Sequence, residues 1–518
     1  MTKHSKPQQT AIIVWGKIMS IAAEAGIPLV LIWLFGDPGD MGVYATIMLV
    51  YKTLLKVFTT GFPRATLYFF GGRTQAEKRE LSTKLTAVLI GLGGAMGLLL
   101  VVIGLLGHGA LAAISSAIQG LVGSRGAEGE GLLVALDYLP WLAPYAVFDL
   151  TSRILPQVLI SEERPRAAAA IPLLRSTTTL LGTLLPVLLG FGLTGIVIGL
   201  NLSGVICFVV YLWFMIRLYG RARPTRGRIR VRELFAYALP LGLTNVVSDL
   251  NKNLDMWLII AVYLATREEV AVYRMGAWQI PIITTIAYTV GSVYLAQFKS
   301  LHLAERGAEA IRIWRRLIRK VSLIVVPASA VFVVAAEEFT AVAFPDAYAG
   351  AAPVFRAYCF LTMARVSAYG NALVAAGRPR DVVKASIWTL VSNALLSVPL
   401  VLVLGFLGPA VGTAIAIIPA TGIYCLYIAR AYGVRWRDTF PLTSYAGVVL
   451  IAAVPCALAV LFKLTVSWPP LAMFAVEALI VLVGFSLLAT VLGRIDGDDW
   501  RFVRDCLTFR VAGGSKAA

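Results

Sequence analysis

The sequence predicts an all-α polytopic membrane protein, with about fourteen transmembrane helices in two six-helix lobes plus a C-terminal helix pair. Three observations predict it. Apolar residues make up 58% of the 518 and charged residues only 14%, against roughly 45–50% and about 25% in a soluble domain. Apolar runs near the roughly 20 residues needed to cross a bilayer recur along the whole chain. The lysines and arginines that give the net charge of +18 fall mainly in alternate gaps between those runs.

Taken in order, the apolar runs are 11–36, 41–70, 83–107, 132–160, 167–191, 193–219, 233–264, 270–298, 317–341, 353–376, 382–404, 408–430, 444–466 and 470–493. The first follows the short polar stretch Met1–Thr10. It is longer than the apolar core of a cleaved signal and lacks a small-residue exit, so it reads as a membrane helix. The connections are short, so successive helices run antiparallel. The longest outer connection, about 108–131, is rich in Gly, Ser and Ala and is expected to be a loop. The longest purely basic break, Arg221–Arg232, follows the sixth helix. The division is therefore 1–219 for the first lobe, 220–232 for a basic linker, 233–431 for the second lobe, and 432–518 for the last two helices and the tail. Weak internal repetition agrees. Met41-Gly42-Val43-Tyr44-Ala45 parallels Val270-Ala271-Val272-Tyr273-Arg274, and Gly195–Gly199 parallels Gly408–Gly412.

Orientation follows from the cations. With the N-terminus cytoplasmic, 33 Lys and Arg lie in cytoplasmic segments. Only Arg125, Arg267 and Lys463 lie outside. Both termini are then cytoplasmic. The charge is explained by topology, so nucleic acid is not expected as a partner.

The exclusions are equally informative. A soluble enzyme, a disordered chain and a disulfide scaffold do not fit this composition. The phosphate-loop pattern is missing: Gly16-Lys17 has no upstream glycine. The five cysteines are scattered and read as small buried apolar groups. His4, His108 and His302 have no partners at ligand spacing, so no metal site of the histidine or thiolate type is expected.

Ten cations remain inside the predicted spans: Lys17, Lys52, Lys56, Arg64, Arg153, Arg175, Lys252, Arg274, Arg356 and Arg365. A charge at the bilayer centre costs at least about 2.5–3.5 kcal/mol. These side chains must face water, one another or an acid. Lys52 and Lys56 are i,i+4 neighbours of like sign, which points to an anion rather than to a structural pair. Asp149 and Arg153 are i,i+4 with opposite signs and read as an ion pair. Arg64, Arg274 and Arg356 lie near span ends, within reach of headgroups. Arg175 and Arg365 sit deep beside hydroxyls and are expected in a cavity. The cationic site is therefore assigned to Lys17, Lys52, Lys56, Arg64, Arg153, Arg175, Arg274 and Arg365.

The run 233–264 is unusually polar, holding Ser248, Asp249, Asn251, Lys252, Asn253 and Asp255. Two carboxylates with amide oxygens suit Na⁺ or a proton, or an internal Asp–Lys pair. Asn393 is expected as a neighbour. Asp249, Asp255 and Asn393 form the coupling-ion set, with H⁺ or Na⁺ as the ion and no other cofactor.

Several fragments carry a family resemblance. They are Phe235–Leu241 followed by Asp255, Val270–Met275, Phe344-Pro345-Asp346-Ala347-Tyr348, Ala375–Arg380 and Leu404–Ala414. Their order and spacing resemble the polysaccharide flippases of the multidrug/oligosaccharidyl-lipid/polysaccharide exporter superfamily. The resemblance covers nearly the whole chain. It implies two lobes that carry a lipid-linked sugar between leaflets, a cationic central cavity, and coupling to H⁺ or Na⁺. It also marks Asp255. It does not cover Lys52 and Lys56, whose role rests on charge.

The function implied is translocation of an undecaprenyl-pyrophosphate-linked oligosaccharide, or a related glycolipid, across the bacterial inner membrane for surface polysaccharide synthesis. No covalent chemistry is required. The glycolipid and the bilayer are the direct partners, with a polysaccharide polymerase and glycosyltransferases as associates. The rival readings are a lipid II flippase for cell-wall synthesis and a drug/cation antiporter of the same fold. The antiporter suits an acidic cavity better than this basic one. A membrane polymerase or ligase of glycans needs a larger outer loop. For topology, a reporter fused after Arg226 or at the C-terminus reads cytoplasmic and one within 108–131 reads external; a cytoplasmic signal from 108–131 overturns the orientation.

Overall fold

The computed structural model describes residues 19–20, 23–59, 61–70, 73–122, 130–220, 230–495 and 497–507. They are almost entirely helical, with no strand among them. Two compact units form, 1–271 and 272–518.

In the first unit the helices are α1 (Ala23–Leu34), α2 (Pro38–Thr59), α3 (Phe62–Phe70), α4 (Gln75–Val122), α5 (Glu130–Tyr138), α6 (Ala143–Ser152), α7 (Leu155–Ser161), α8 (Pro165–Leu188), α9 (Gly192–Tyr219) and α10 (Val231–Ala261), with α11 (Arg267–Gly276) crossing the division. Local chemistry sets the starts. The Asp37 carboxylate accepts from the Gly39 amide at 2.9 Å ahead of α2. Thr74 and Glu77 form a reciprocal capping box at α4, and Thr266 and Glu269 repeat it at α11.

Small residues set the packing, as apolar helices in lipid require. Gly93 and Gly97 of α4 lie against the backbone of α6. A Cβ on Gly93 would sit 2.7 Å from Val147 Cα, and one on Gly97 2.9 Å from the Ala143 carbonyl oxygen. Gly182 of α8 and Gly199 of α9 meet backbone to backbone in the same way.

In the second unit come α12 (Pro281–Val293), α13 (Leu295–Leu303), α14 (Gly307–Val334), α15 (Ala336–Ala343), α16 (Ala351–Ala364), α17 (Tyr369–Ala375), α18 (Pro379–Leu404), α19 (Gly408–Tyr432), α20 (Leu442–Thr465), α21 (Pro470–Val491) and α22 (Gly497–Leu507). The long, mostly buried α14 is the centre. One side of it packs with Phe298, Tyr369 and Ile428. The other receives Val448, Ile451 and Phe485 of the last two helices, so that pair is an integral part of the unit. At its basic end, Arg319 Nη2 lies 2.8 Å and Lys320 Nζ 3.7 Å from the buried Asp499 of α22.

The chain is a multi-pass membrane protein. Eight helices among the described residues are long and apolar enough to cross a bilayer, and a bent pair adds a ninth. One of the eight, the 54-residue stretch Pro379–Tyr432, exceeds any single crossing. It is the α18–α19 hairpin, folded back at Gly405 (φ 59°). Leu105, Val403, Leu464 and Val491 are large apolar side chains left exposed on these helices, as a surface in contact with lipid requires.

Each predicted run coincides with one or more of these helices, but several runs are not single rods. The expected loop 108–131 is largely helix: α4 runs 48 residues to Val122, and helix resumes at Glu130. Ala, Leu and Ile keep 110–118 helical despite its small residues. The run 132–160 bends by 41° at its Pro140–Leu142 turn and breaks again before Pro156. The run 270–298 is three pieces. Its first gap, 277–280, ends at Pro281, which disfavours helix in the residue before it. The run 353–376 breaks at 365–368. The run 233–264 is one continuous helix, α10. It packs on α2 and α3 within the first unit.

The glycine contacts give a direct test. Gly93→Ala should cost about 1–3 kcal/mol through overpacking against α6. Gly94→Ala, where an added Cβ meets nothing within 4 Å, should be neutral or stabilising by up to about 1 kcal/mol. Thermal unfolding in detergent compares them, and equal midpoints refute the close-packed seam.

Candidate functional site

The site on the first unit begins with the two faces of α2. Tyr44, Ile47, Tyr51 and Leu55 follow helical spacing and are buried. Lys52 and Lys56 lie on the other side and are exposed.

On the buried side sits Asp149 of α6, 1% exposed. The Tyr51 hydroxyl donates to its Oδ2 at 2.8 Å. Arg153 donates to the same oxygen from Nε at 3.1 Å and Nη2 at 2.8 Å. Arg175 of α8 donates through Nη1 to Oδ1, and through Nη2 to Ser152 Oγ at 3.0 Å. Tyr145 stacks on Tyr51 with ring centroids 4.9 Å apart. The expected Asp149–Arg153 pair is thus present, and Arg175 joins it. Two guanidinium groups on one carboxylate leave the group with one positive charge. Beside it Ser176 donates to Glu24 at 3.3 Å and bonds Ser20 at 2.5 Å.

On the other side α10 faces α2. Asp249 is half-buried, and Lys56, Lys252 and Lys52 all act on it electrostatically. Asn253 Nδ2 donates to the Asp249 carbonyl oxygen at 2.9 Å and to Oδ2 at 3.3 Å. Asp255, six residues further along α10, is 3% exposed. The tandem lysines and the first coupling acid, read from the sequence as separate features, therefore form one group. Lys252 completes it; the sequence alone marks it as the partner of an internal Asp–Lys pair. Arg64 of α3 is exposed on the same unit.

Arg274 and Arg365 belong to the second unit. Arg365 stands where α16 ends, and its Nη1 donates to Gln279 Oε1 at 3.0 Å, joining the 277–280 and 365–368 breaks. Asn393 is also in the second unit, whereas Asp249 and Asp255 are in the first. Its Oδ1 accepts from Ser397 at 2.9 Å and Thr413 at 3.3 Å within the α18–α19 hairpin. Lys17 lies outside the described residues. Among the described residues, no three His, Cys, Asp or Glu side chains gather as a metal ion would need.

Known proteins share this architecture. A solved structure of the lipid II flippase MurJ, in an inward closed conformation, superposes with a TM-score of 0.72 at 16% identity, covering 93% of this chain and 99% of that one. The chain shares the fold of that flippase. An inward-facing multidrug resistance MATE family transporter of the MOP superfamily gives a TM-score of 0.56 at 15% identity, over 80% of this chain and 96% of the other. The family model described as polysaccharide biosynthesis protein matches residues 164–353. The probable low-salt glycan biosynthesis flippase Agl15 of Haloferax volcanii is 23% identical over 312 residues, 58% of this chain and 63% of that protein. The match thus spans less than two thirds of that relative's length. The family model and Agl15 match part of the chain in sequence, as the resemblance implies, and the two solved structures share its fold.

The Asp149 group predicts its own energetics. Asp149→Ala leaves two arginines without their carboxylate and should cost about 3–5 kcal/mol. Tyr51→Phe removes one hydrogen bond to a charged group and should cost about 1.5–3 kcal/mol. Unfolding in detergent measures both, and an Asp149→Ala protein as stable as wild type would show that the network is not structural.

Proposed function

We propose that the chain is a flippase. Its cargo is an undecaprenyl-pyrophosphate-linked oligosaccharide or a related glycolipid, carried by alternating access across the bacterial inner membrane for surface polysaccharide synthesis. The observation that carries this reading is the exposed cationic group Lys52, Lys56 and Lys252 on α2 and α10, beside an Asp149 group of net positive charge. A multiply anionic headgroup gains charge-assisted hydrogen bonds from such lysines. Asp249 on α10 offsets part of the lysines' charge when no headgroup is bound. The partial matches to a polysaccharide biosynthesis family and to a protein named as a glycan flippase point the same way. The step is movement rather than bond chemistry, so the chain is not read as an enzyme. The MurJ superposition favours lipid II as the alternative cargo. H⁺ or Na⁺ is proposed as the coupling ion, at Asp249 and Asp255. An ion that binds one arrangement more tightly than the other shifts their balance.

Translocation of a fluorescent lipid-linked oligosaccharide in proteoliposomes tests the reading, with lipid II run in parallel. Each lysine lost removes about 1.5–3 kcal/mol of charged hydrogen bonding, so Lys52→Ala/Lys56→Ala should weaken cargo binding by roughly 100-fold or more. Asp255→Asn should flatten the dependence on the ion gradient and leave binding intact. Full transport by the double variant overturns the cargo site, and transport of lipid II alone selects the alternative.

A further inference from the structure

One buried acid takes no part in the groups above. Glu477 lies in α21, two turns from its start, in a helix otherwise apolar from Leu471 to Val491 apart from Ser486 and Thr490. It is 0% exposed, and neither of its carboxyl oxygens has a hydrogen-bond partner. Its neighbours along the helix, Phe474, Ala478 and Val481, pack with Ala459 of α20 and with Val331 and Val334 of α14. An ionised carboxylate left there without a donor would cost several kcal/mol.

The charged groups that act on Glu477 come from two elements: Glu338 and Glu337 of α15, and Lys463 of α20. The face that α14 presents is apolar. Glu338 is itself short of a donor. Its Oε1 lies 2.6 Å from Lys463 Nζ, while its buried Oε2 has no partner. Lys463 also bonds Glu337 Oε2 at 2.7 Å, and Arg356 Nη2 of α16 donates to Glu337 Oε1 at 3.1 Å. These two cations hold the Glu337 carboxyl, outside the spans, below the usual carboxylate range. Side-chain exposure climbs from 10% at Glu338 to 26% at Lys463 and 56% at Glu337. The four groups lead from the surface toward a buried carboxyl; Glu477 lacks any donor and Glu338 lacks one at Oε2. A proton supplies one.

We infer that Glu477 is a proton-binding site of the α20–α21 hairpin, loaded from the surface through Glu337, Lys463 and Glu338. It is separate from the lysine group of the first unit and does not depend on the cargo. A carboxyl in this position keeps its proton while the hairpin is seated on α14 and gives it up when water reaches it. That makes the seating of the hairpin sensitive to pH.

Difference infrared spectroscopy of the full chain in lipid nanodiscs tests it, comparing wild type with Glu477→Gln across pH. At neutral pH the wild type should show a protonated carboxylic-acid carbonyl band that the variant lacks. The band should disappear as pH rises. Lys463→Met, which removes the nearby cation, should move that loss to higher pH. A difference spectrum with only carboxylate bands at neutral pH overturns the site, and a titration indifferent to Lys463→Met overturns the path. Should Glu477→Gln fail to fold, Glu338→Gln replaces it. Removing the neighbouring negative charge should move the loss of the band to lower pH, and an unmoved band again overturns the inference.

Discussion

The carboxylate of Asp149 organises the first unit. A buried charge in a membrane helix is tolerated only when its partners are fixed in place, and here the partners come from three helices. Tyr51 contributes from α2, Arg153 from the end of α6 and Arg175 from α8. The bond to Tyr51 fixes the rotation of α2 about its axis. Once Tyr51 points inward, residue 52 is turned by about 100° and residue 56 follows one turn later. The exposed lysines are thus a geometric consequence of the buried acid. Their partner Asp249 then depends on how α10 lies against α2.

Two kinds of helix contact support this arrangement. Where α4 meets α6 and α8 meets α9, glycines bring backbones together and leave no room for a side chain. Such seams are rigid, because sliding a backbone contact forfeits dispersion along its length. The second unit, by contrast, contains two broken helices whose gaps are joined by Arg365 and Gln279. Unwound backbone at membrane depth is tolerated where protein or water satisfies it. Rigid seams in one place and interrupted helices in another suit a transporter fold, in which bodies move largely intact about a few yielding segments. The α20–α21 pair is built into the second unit through α14, so its buried carboxyl is coupled to that unit's own packing.

Much of this was legible in the sequence. Composition alone fixed the solvent, and the runs of apolar residues located the helices, because a spanning segment must be long and unbroken in its hydrophobicity. The cost of intramembrane charge marked Lys52, Lys56, Asp149, Arg153 and Arg175 before any contact was known. The i,i+4 spacing paired Asp149 with Arg153, since that pairing is local. The resemblance to polysaccharide flippases was legible because it lay in short turn and helix-end fragments whose order survives divergence.

What the tertiary structure decided is everything that depends on which helices are neighbours. Arg175 joins Asp149 across 26 residues and Tyr51 across 98, distances along the chain at which periodicity carries no information. Lys252 and Asp249 meet the α2 lysines only because α10 packs on α2. Asn393 belongs to the second unit, where Ser397 and Thr413 of its own hairpin bond it. Glu477 is one acid in an otherwise apolar run, and nothing local to the sequence sets it apart. Only the packing of α14, α15 and α20 around it shows that it has no donor. Periodicity reports on one helix at a time, whereas the energy of a buried charge is set by the other helices around it.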